Sequence, residues 1–475
     1  MTASTLTASL QTNPLRRARL HSAFDEPIAM LRLAVPIMLI ALVNMGMSIT
    51  DTIMVSASFG ADALAAVAVG SDFYSILFYL GAGTLGGLVP FYTAAVTRAD
   101  QSERARLERI GQIIVLLLAV VLVPIIWTAS DWLALLGLDQ GLLETGRGYT
   151  RTMALTLIPM LGVMLYRTIL TAAERPKVFL IVTAAMLPLN AIGNQVLMHG
   201  SGPIPAFGPT GAGLSTLIVA ITSLVTLVTV ARRSAPRTRT RGNSIGWNDL
   251  APILRVGLPI GIATVAELGI FLGATLYAAT LGPADVAAHT LTLRMAGVAY
   301  AVPAALLQAA MVRMARANAH ADPDLCRRVT RSAMWLAAAS GTVLCLGLTA
   351  SAAPLSETFF DRGAAGIAAA SLSVGLLVLL GVMEFIANPG IGAAGLLRGR
   401  KDTRVPMLCT LAGYWLVGAP LGMWLSEAWN LGITGVWVGL TAGTTVTSVL
   451  MLARLVRICH EASRRPALEA GRKWA

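Results

Sequence analysis

Twelve stretches of this chain are apolar enough to cross a lipid bilayer: about 30–55, 66–97, 111–136, 152–173, 178–198, 210–231, 251–281, 286–312, 332–352, 366–396, 405–425 and 433–453. A crossing takes about 20 residues of helix. Hydrocarbon offers no water to the backbone N–H and C=O groups, so only helices or closed barrels can span it. The runs are continuous and lack the period-two alternation of barrel strands. The expected fold class is therefore all-α integral membrane. Composition agrees, since 56% apolar and 13% charged residues, with a mean hydropathy of +0.71, lie outside the range of soluble domains.

The basic residues give the expected orientation. Of 36 Lys and Arg, 29 lie in alternate gaps between the spans or at the two ends, and only Arg147, Arg151 and Arg362 fall in the opposite loops. By the positive-inside rule both termini are cytoplasmic, in a multi-pass protein of the inner (plasma) membrane. The net charge of +12 then reports topology and attraction to anionic membrane lipids, and no nucleic acid partner is expected. Residues 1–25 carry Arg16, Arg17 and Arg19 without an apolar core or cleavage site, so the first span acts as the insertion signal. Cys326, Cys345, Cys409 and Cys459 lack metal-ligand spacing and are expected as free thiols.

The chain is also duplicated. Leu31-Arg32-Leu33-Ala34-Val35-Pro36 answers to Leu254-Arg255-Val256-Gly257-Leu258-Pro259, and Gly60…Ala65-Ala66 to Gly282…Ala287-Ala288. Lys177 with Thr210-Gly211 answers to Lys401 with Thr434-Gly435, and every match has an offset of 222–224 residues. Six spans per copy puts both copies in the same orientation, related by a pseudo-two-fold axis along the membrane normal with a cavity between them. The expected organisation is a cytoplasmic segment 1–29, an N-lobe 30–231, a polar linker 232–249, a C-lobe 250–455 and a cytoplasmic tail 456–475.

Polar residues inside the spans need a reason, because a charge at mid-bilayer costs about 2.5–3.5 kcal/mol on insertion scales. Asp51 lies in the outer half of span 1, either as a hydrogen-bonded carboxylate near a helix end or as a group that changes charge with a bound cation. Asn190 and Asn194 of span 5 share one helix face, as a packing clamp or as oxygen donors to a cation or a proton relay. Glu267 and Glu384 sit near the middles of spans 7 and 10, each expected to pair with Arg294 or His289 or to meet a cationic substrate. Asp72 and Arg167 are expected to face the bundle interior. Tyr74, Phe78 and Tyr79 either line the cavity or pack. Pro36 and Pro259 permit a bend or are simply tolerated in a transmembrane helix.

The run Pro36…Asp51-Thr52-Ile53-Met54-Val55…Leu64-Ala65-Ala66-Val67, with Pro90 closing span 2, resembles the signature of the multidrug and toxic compound extrusion (MATE) transporters. So do Leu258-Pro259…Ala266-Glu267-Leu268…Phe271…Leu281-Gly282…Val286-Ala287-Ala288-His289 and Leu397-Arg398-Gly399-Arg400-Lys401-Asp402-Thr403. The resemblance covers roughly residues 28–455, and Glu267 places it nearest the NorM-like branch. It implies a twelve-helix antiporter with two six-helix lobes, exporting organic cations or drugs in exchange for H⁺ or Na⁺. It assigns the cation site, a Na⁺ site if sodium is the coupling ion, to Asp51, Asn190 and Asn194. It assigns the helix-1 hinge to Pro36 and the C-lobe acid to Glu267.

One departure stands out. NorM-like members carry a second acid ten positions before the Leu-Arg-Gly motif, where this chain has Ala387; Glu384, one turn earlier, is the candidate replacement. No cofactor beyond the coupling ion is expected, and the protein is expected as a monomer. A lipid-linked oligosaccharide flippase of the same superfamily is the alternative transport reading. The motifs of an intramembrane enzyme are missing from the sequence.

Overall fold

The computed structural model describes residues 14–135, 137–234, 245–360 and 363–472, and these are helical almost throughout. Helices α1 (14–59) and α2 (61–86, resumed as Val89–Thr97) are followed by α3 (Gln101–Trp127), α4 (Gln140–Ala172), α5 (Pro176–His199) and α6 (Pro209–Ser234). The second half repeats the plan as α7 (Trp247–Leu281), α8 (Pro283–Ala319), α9 (Pro323–Phe359), α10 (Ala364–Gly399), α11 (404–428) and α12 (Gly432–Arg472). The middle of α11, Ala412–Gly418, is wound as a π-helix. Most helices overrun their apolar runs, because a helix that leaves hydrocarbon keeps its own backbone bonds in water. The N-terminal segment is helical from Pro14, and the tail stays helical to Arg472. Most of the expected linker, together with Arg362, lies outside the described residues.

The turns explain several of the repeated residues. Gly60, with φ 81°, is the one non-helical residue between α1 and α2, and its counterpart Gly282, with φ 146°, joins α7 to α8. Both helix pairs reverse through a single residue in a conformation that side chains resist, which only glycine takes without strain. Gly211 and Gly435 also act alike. A Cβ on Gly211 would lie 2.5 Å from the backbone of Leu197 at the end of α5, and one on Gly435 would lie 2.8 Å from Leu425 at the end of α11. The Lys177–Lys401 match, in contrast, is not a structural equivalence. The positive-φ residues of the two turns are Glu174 and Lys401, and Lys177 falls inside the first turn of α5. Pro90 opens the last stretch of α2 rather than closing the span, since the first turn of a helix has no bond for proline to remove.

The lobes touch at the end that carries the basic loops. There α2 crosses α7 backbone to backbone: a Cβ on Gly83 would sit 2.6 Å from Gly261 Cα, one on Gly87 2.5 Å from Gly257 Cα, and one on Gly257 would overlap the Thr84 carbonyl. The symmetry-related crossing of α1 and α8 is lined by Ala34, Ala305 and Ala309, which lie in one buried cluster with Leu33 and Ile37. Pro36 and Pro259 are buried beside these crossings, and the helices run through both without a break.

Charged contacts ring the same end. Arg313 of α8 binds Glu26 at 2.5 Å and Glu174 at 3.1 Å, and Arg316 also reaches Glu174 at 3.0 Å. At the symmetry-related corner, Lys401 Nζ stands 3.9 Å over the ring of Phe91, the residue equivalent to Arg313. Arg106 of α3 bonds Asp249, which precedes the apolar run of α7. The backbone N–H of Gly246, at 2.9 Å, and then Arg106 hold the Asp249 carboxyl below the ordinary carboxylate range. A lowered folded pKa contributes stability above the ordinary Asp value of about 3.9 and loses it only as pH falls through the lowered value. The Arg106–Asp249 clamp should therefore survive titration from pH 7 to pH 5, read as unchanged spin-label distances across the two lobes; opening in that window would contradict the assignment. Gly257→Val should force α2 and α7 apart and lower stability by about 1–3 kcal/mol, visible as earlier thermal unfolding in detergent. An unchanged transition would show that the close crossing is not maintained.

Candidate functional site

In the N-lobe, α1 and α5 bring three of the expected residues together. Asn194 Nδ2 donates to Asp51 Oδ1 at 2.5 Å and also approaches Met54 Sδ at 3.9 Å. The Asn190 amide, one turn earlier on the same face, interacts with the same carboxylate. Asn190 and Asn194 are 2% and 0% exposed. Each amide must turn its nitrogen toward the carboxylate, so each turns its oxygen away. Both Oδ1 atoms are buried without a hydrogen-bond donor among the described residues. Such orphaned acceptors normally carry a penalty of about 1–3 kcal/mol each. The cluster therefore offers a carboxylate and two bare carbonyl oxygens in one place, which suits a hard cation. It equally suits a protonated carboxyl that donates to one of them.

The surrounding packing fixes α5. Ser215 Oγ of α6 donates to the backbone carbonyl of Asn190 at 3.0 Å, and a side chain on Gly193 would overlap that hydroxyl. Tyr149 of α4 is an electrostatic neighbour of Asp51 and bonds Ser71. Nothing in the sequence distinguishes Tyr149 from a packing aromatic. Tyr74 packs in the N-lobe core with a buried hydroxyl that has no partner among the described residues. It stacks on Phe78 at 5.7 Å, and Phe78 meets Tyr79 edge-on at 5.4 Å, with only Tyr79 substantially exposed. Arg167 lies over the Phe179 ring at 5.9 Å.

The C-lobe cavity has a volume of about 40 Å³, and among its lining residues are Glu267, Tyr300, Ala387, Arg398 and Tyr414. Glu267 is bonded by Tyr300 and faces Arg398. The expected partners are elsewhere, each for a physical reason. His289 accepts from Trp437 Nε1 at its Nδ1 (3.1 Å), so its Nε2 carries the proton toward Thr275 Oγ1 at 2.9 Å, and the ring is a fixed neutral link between α7, α8 and α12. Arg294 is exposed and faces Asp72 across the lobe boundary. Arg398 counts in the sequence only as one more basic residue of the inner loops; it is the last residue but one of α10 and lines the cavity.

Glu384 lies one turn before the cavity-lining Ala387 and is an electrostatic neighbour of Glu267. Its carboxyl, 4% exposed, accepts from Asn388 Nδ2 at 2.9 Å, and Asn388 Oδ1 accepts from Ser340 Oγ of α9 at 2.7 Å. Asn388 thus links the Glu384 carboxyl, on its own helix, to α9, while Ala387 lines the cavity. The π-helical turn of α11 also escaped the sequence. It sends Tyr414 into the cavity and lets Trp415 Nε1 donate to the carbonyl of Ala266, next to Glu267, at 3.0 Å. Such turns are rare and recur at functional sites.

The chain matches the MatE family model over residues 36–196 and 259–424. It is 30% identical over 447 residues to the probable multidrug resistance protein NorM of Agrobacterium fabrum, covering 92% of this chain and 94% of that protein. It is 31% identical to the multidrug resistance protein NorM of Burkholderia vietnamiensis, over 89% of this chain and 92% of that one. Its fold matches a MATE protein solved in a bent conformation, with TM-score 0.84, 18% identity and coverage of 93% and 97%. A multidrug resistance MATE family transporter of the MOP superfamily, solved in an outward-facing conformation, matches with TM-score 0.83 at 18% identity and the same coverage. Two lobes of six helices, with the family model matched over more than half the chain, identify this protein as a member of the MatE family, a transporter and not an enzyme.

Proposed function

We propose that this protein is a secondary active multidrug efflux antiporter, exporting organic, mostly cationic, compounds in exchange for H⁺ or Na⁺ by alternating access. The observation that carries the reading is the pair of orphaned amide oxygens beside the Asp51 carboxylate. Asp51, Asn190 and Asn194 hold the coupling cation, and Pro36 supplies the bend in α1. The basic loops face the cytoplasm of a cell whose inner membrane holds the protein as a monomer, without a further cofactor. One charge entering down the membrane potential releases about 2.3 kcal/mol per 100 mV. Drug and ion then exchange because each favours a different facing of the cavity.

The N-lobe alone carries the coupling. In the C-lobe, Glu267 is compensated by Arg398, and Ala387 supplies no second oxygen. The same compensation speaks against the flippase alternative, since a pyrophosphate would need uncompensated positive charge in the cavity.

Asp51→Asn keeps the shape of the side chain and its bond to Asn194, so it should insert and unfold like the parent. Ion-driven efflux of an ethidium-like dye should fall to background in inside-out vesicles, whether pH or sodium gradients are imposed. Full transport by this variant would remove Asp51 from the mechanism. Glu384→Gln should keep efflux within about twofold, because the amide still offers an oxygen to Asn388. Asn388→Ala should instead lower stability by about 1–3 kcal/mol by leaving the carboxylate unpartnered. If Glu384→Gln abolished coupling at unchanged stability, Glu384 would have taken over the role missing at Ala387.

A further inference from the structure

Asp72 of α2 and Arg294 of α8 are 222 residues apart, the same offset that relates Gly60 to Gly282 and the positive-φ residues Ala99 and Ala321 at the far ends of these helices. They are therefore the same position in the two copies, and a pseudo-two-fold axis between the lobes sets equivalent positions opposite one another. Duplication would have placed like charges there. This chain carries an acid on one side and a base on the other, the arrangement that attracts.

Their height in the bundle is informative. Along α8 from Gly282, Gly297 packs against the other lobe, where a Cβ would lie 3.1 Å from Met45 Cε of α1. Arg294 is one turn before that contact. The glycine crossing at Gly83 and Gly87 lies three to four turns further in than Asp72. Both charged side chains are exposed, within electrostatic reach of each other, and among the described residues they are not joined in an ion pair. Closure at the basic end is meanwhile complete, with Arg313, Glu26, Glu174, Lys401 and Phe91 all engaged. The lobes are thus held together at the basic end, while toward the other end the two opposite charges stand exposed and, among the described residues, not joined in an ion pair.

We infer that Asp72 and Arg294 form the outer gate, closing into an ion pair across the pseudo-two-fold axis when the basic-end contacts open. The inference rests on the alternating-access reading, and it assigns the pair a gating role separate from the ion site at Asp51. The two contact sets are alternatives. The Arg313–Glu174 and Lys401–Phe91 corners hold the facing described here, and the Asp72–Arg294 pair holds the other.

The test uses the full chain in proteoliposomes with cysteines at the two positions, Asp72→Cys with Arg294→Cys, and each single variant as a control for the native thiols. A disulfide needs Cα atoms within about 7 Å. Oxidation should yield a peptide linked through positions 72 and 294, detected by mass spectrometry, and the yield should rise several-fold when Arg313→Ala weakens the basic-end closure. Absence of the linked peptide in both backgrounds would overturn the gate. Because this readout needs neither drug nor coupling ion, it stands or falls separately from the exporter reading. A charge exchange, Asp72→Arg with Arg294→Asp, should restore at least half of the efflux rate that either single charge reversal removes. A swapped protein as defective as the sum of the two reversals would contradict the pairing.

Discussion

The backbone-to-backbone crossing of α2 and α7 is the contact on which the arrangement depends. In lipid, apolar side chains gain little by leaving the hydrocarbon, so helices associate where small residues let them come close. Gly83, Gly87, Gly257 and Gly261 permit that approach at one end of the bundle, and the symmetry-related crossing uses alanines. The lobes are thereby joined at the basic end and free to part at the other. A set of ion pairs and a cation–π contact closes the same end, with Arg313 buried enough to make its partners matter. Contacts of this kind, worth little singly at a surface, can be exchanged for another set at modest cost, as alternating access requires.

The two lobes share a plan and differ in chemistry. The N-lobe leaves two amide oxygens without donors next to a carboxylate, an arrangement that a folded protein avoids unless something else completes it. In the C-lobe the buried acids have neighbours of their own: Glu267 has Tyr300 and Arg398, Glu384 has Asn388, and His289 lies between Trp437 and Thr275. Duplication supplied two equivalent halves. Side-chain chemistry then made them differ, with Asp51 beside two amides in one lobe, Glu267 beside Arg398 in the other, and Asp72 facing Arg294 at the boundary.

Much of this was legible in the chain. Spans follow from apolar length, and the internal repeat follows from glycines and prolines whose backbone roles cannot be filled by other residues, as Gly60 and Gly282 show. The i, i+4 spacing of Asn190 and Asn194 gave a shared face, and the MATE resemblance pointed that face at Asp51. Partners across helices were not legible. His289 and Arg294 were expected beside the buried glutamates because all are polar and share the middle of the bundle, but rotation about a helix axis is set by packing. Asn388, one turn after Glu384, carries the bond to α9, and Ala387 just before it lines the cavity. Arg398 was hidden by its membership of a basic cluster, and the π-helical turn of α11 leaves no periodicity to detect.

In the proposed exchange the Asp51 carboxyl and the Asn190 and Asn194 oxygens hold the ion that the drug displaces. Adding an ethidium-like dye to purified protein in weak buffer, while following pH and free sodium together, reads that displacement. Release of one of these ions in proportion to bound dye is expected, and no such release from the Asp51→Asn variant under the same conditions. Equal release from the variant, or dye binding with no ion released from either protein, would contradict it.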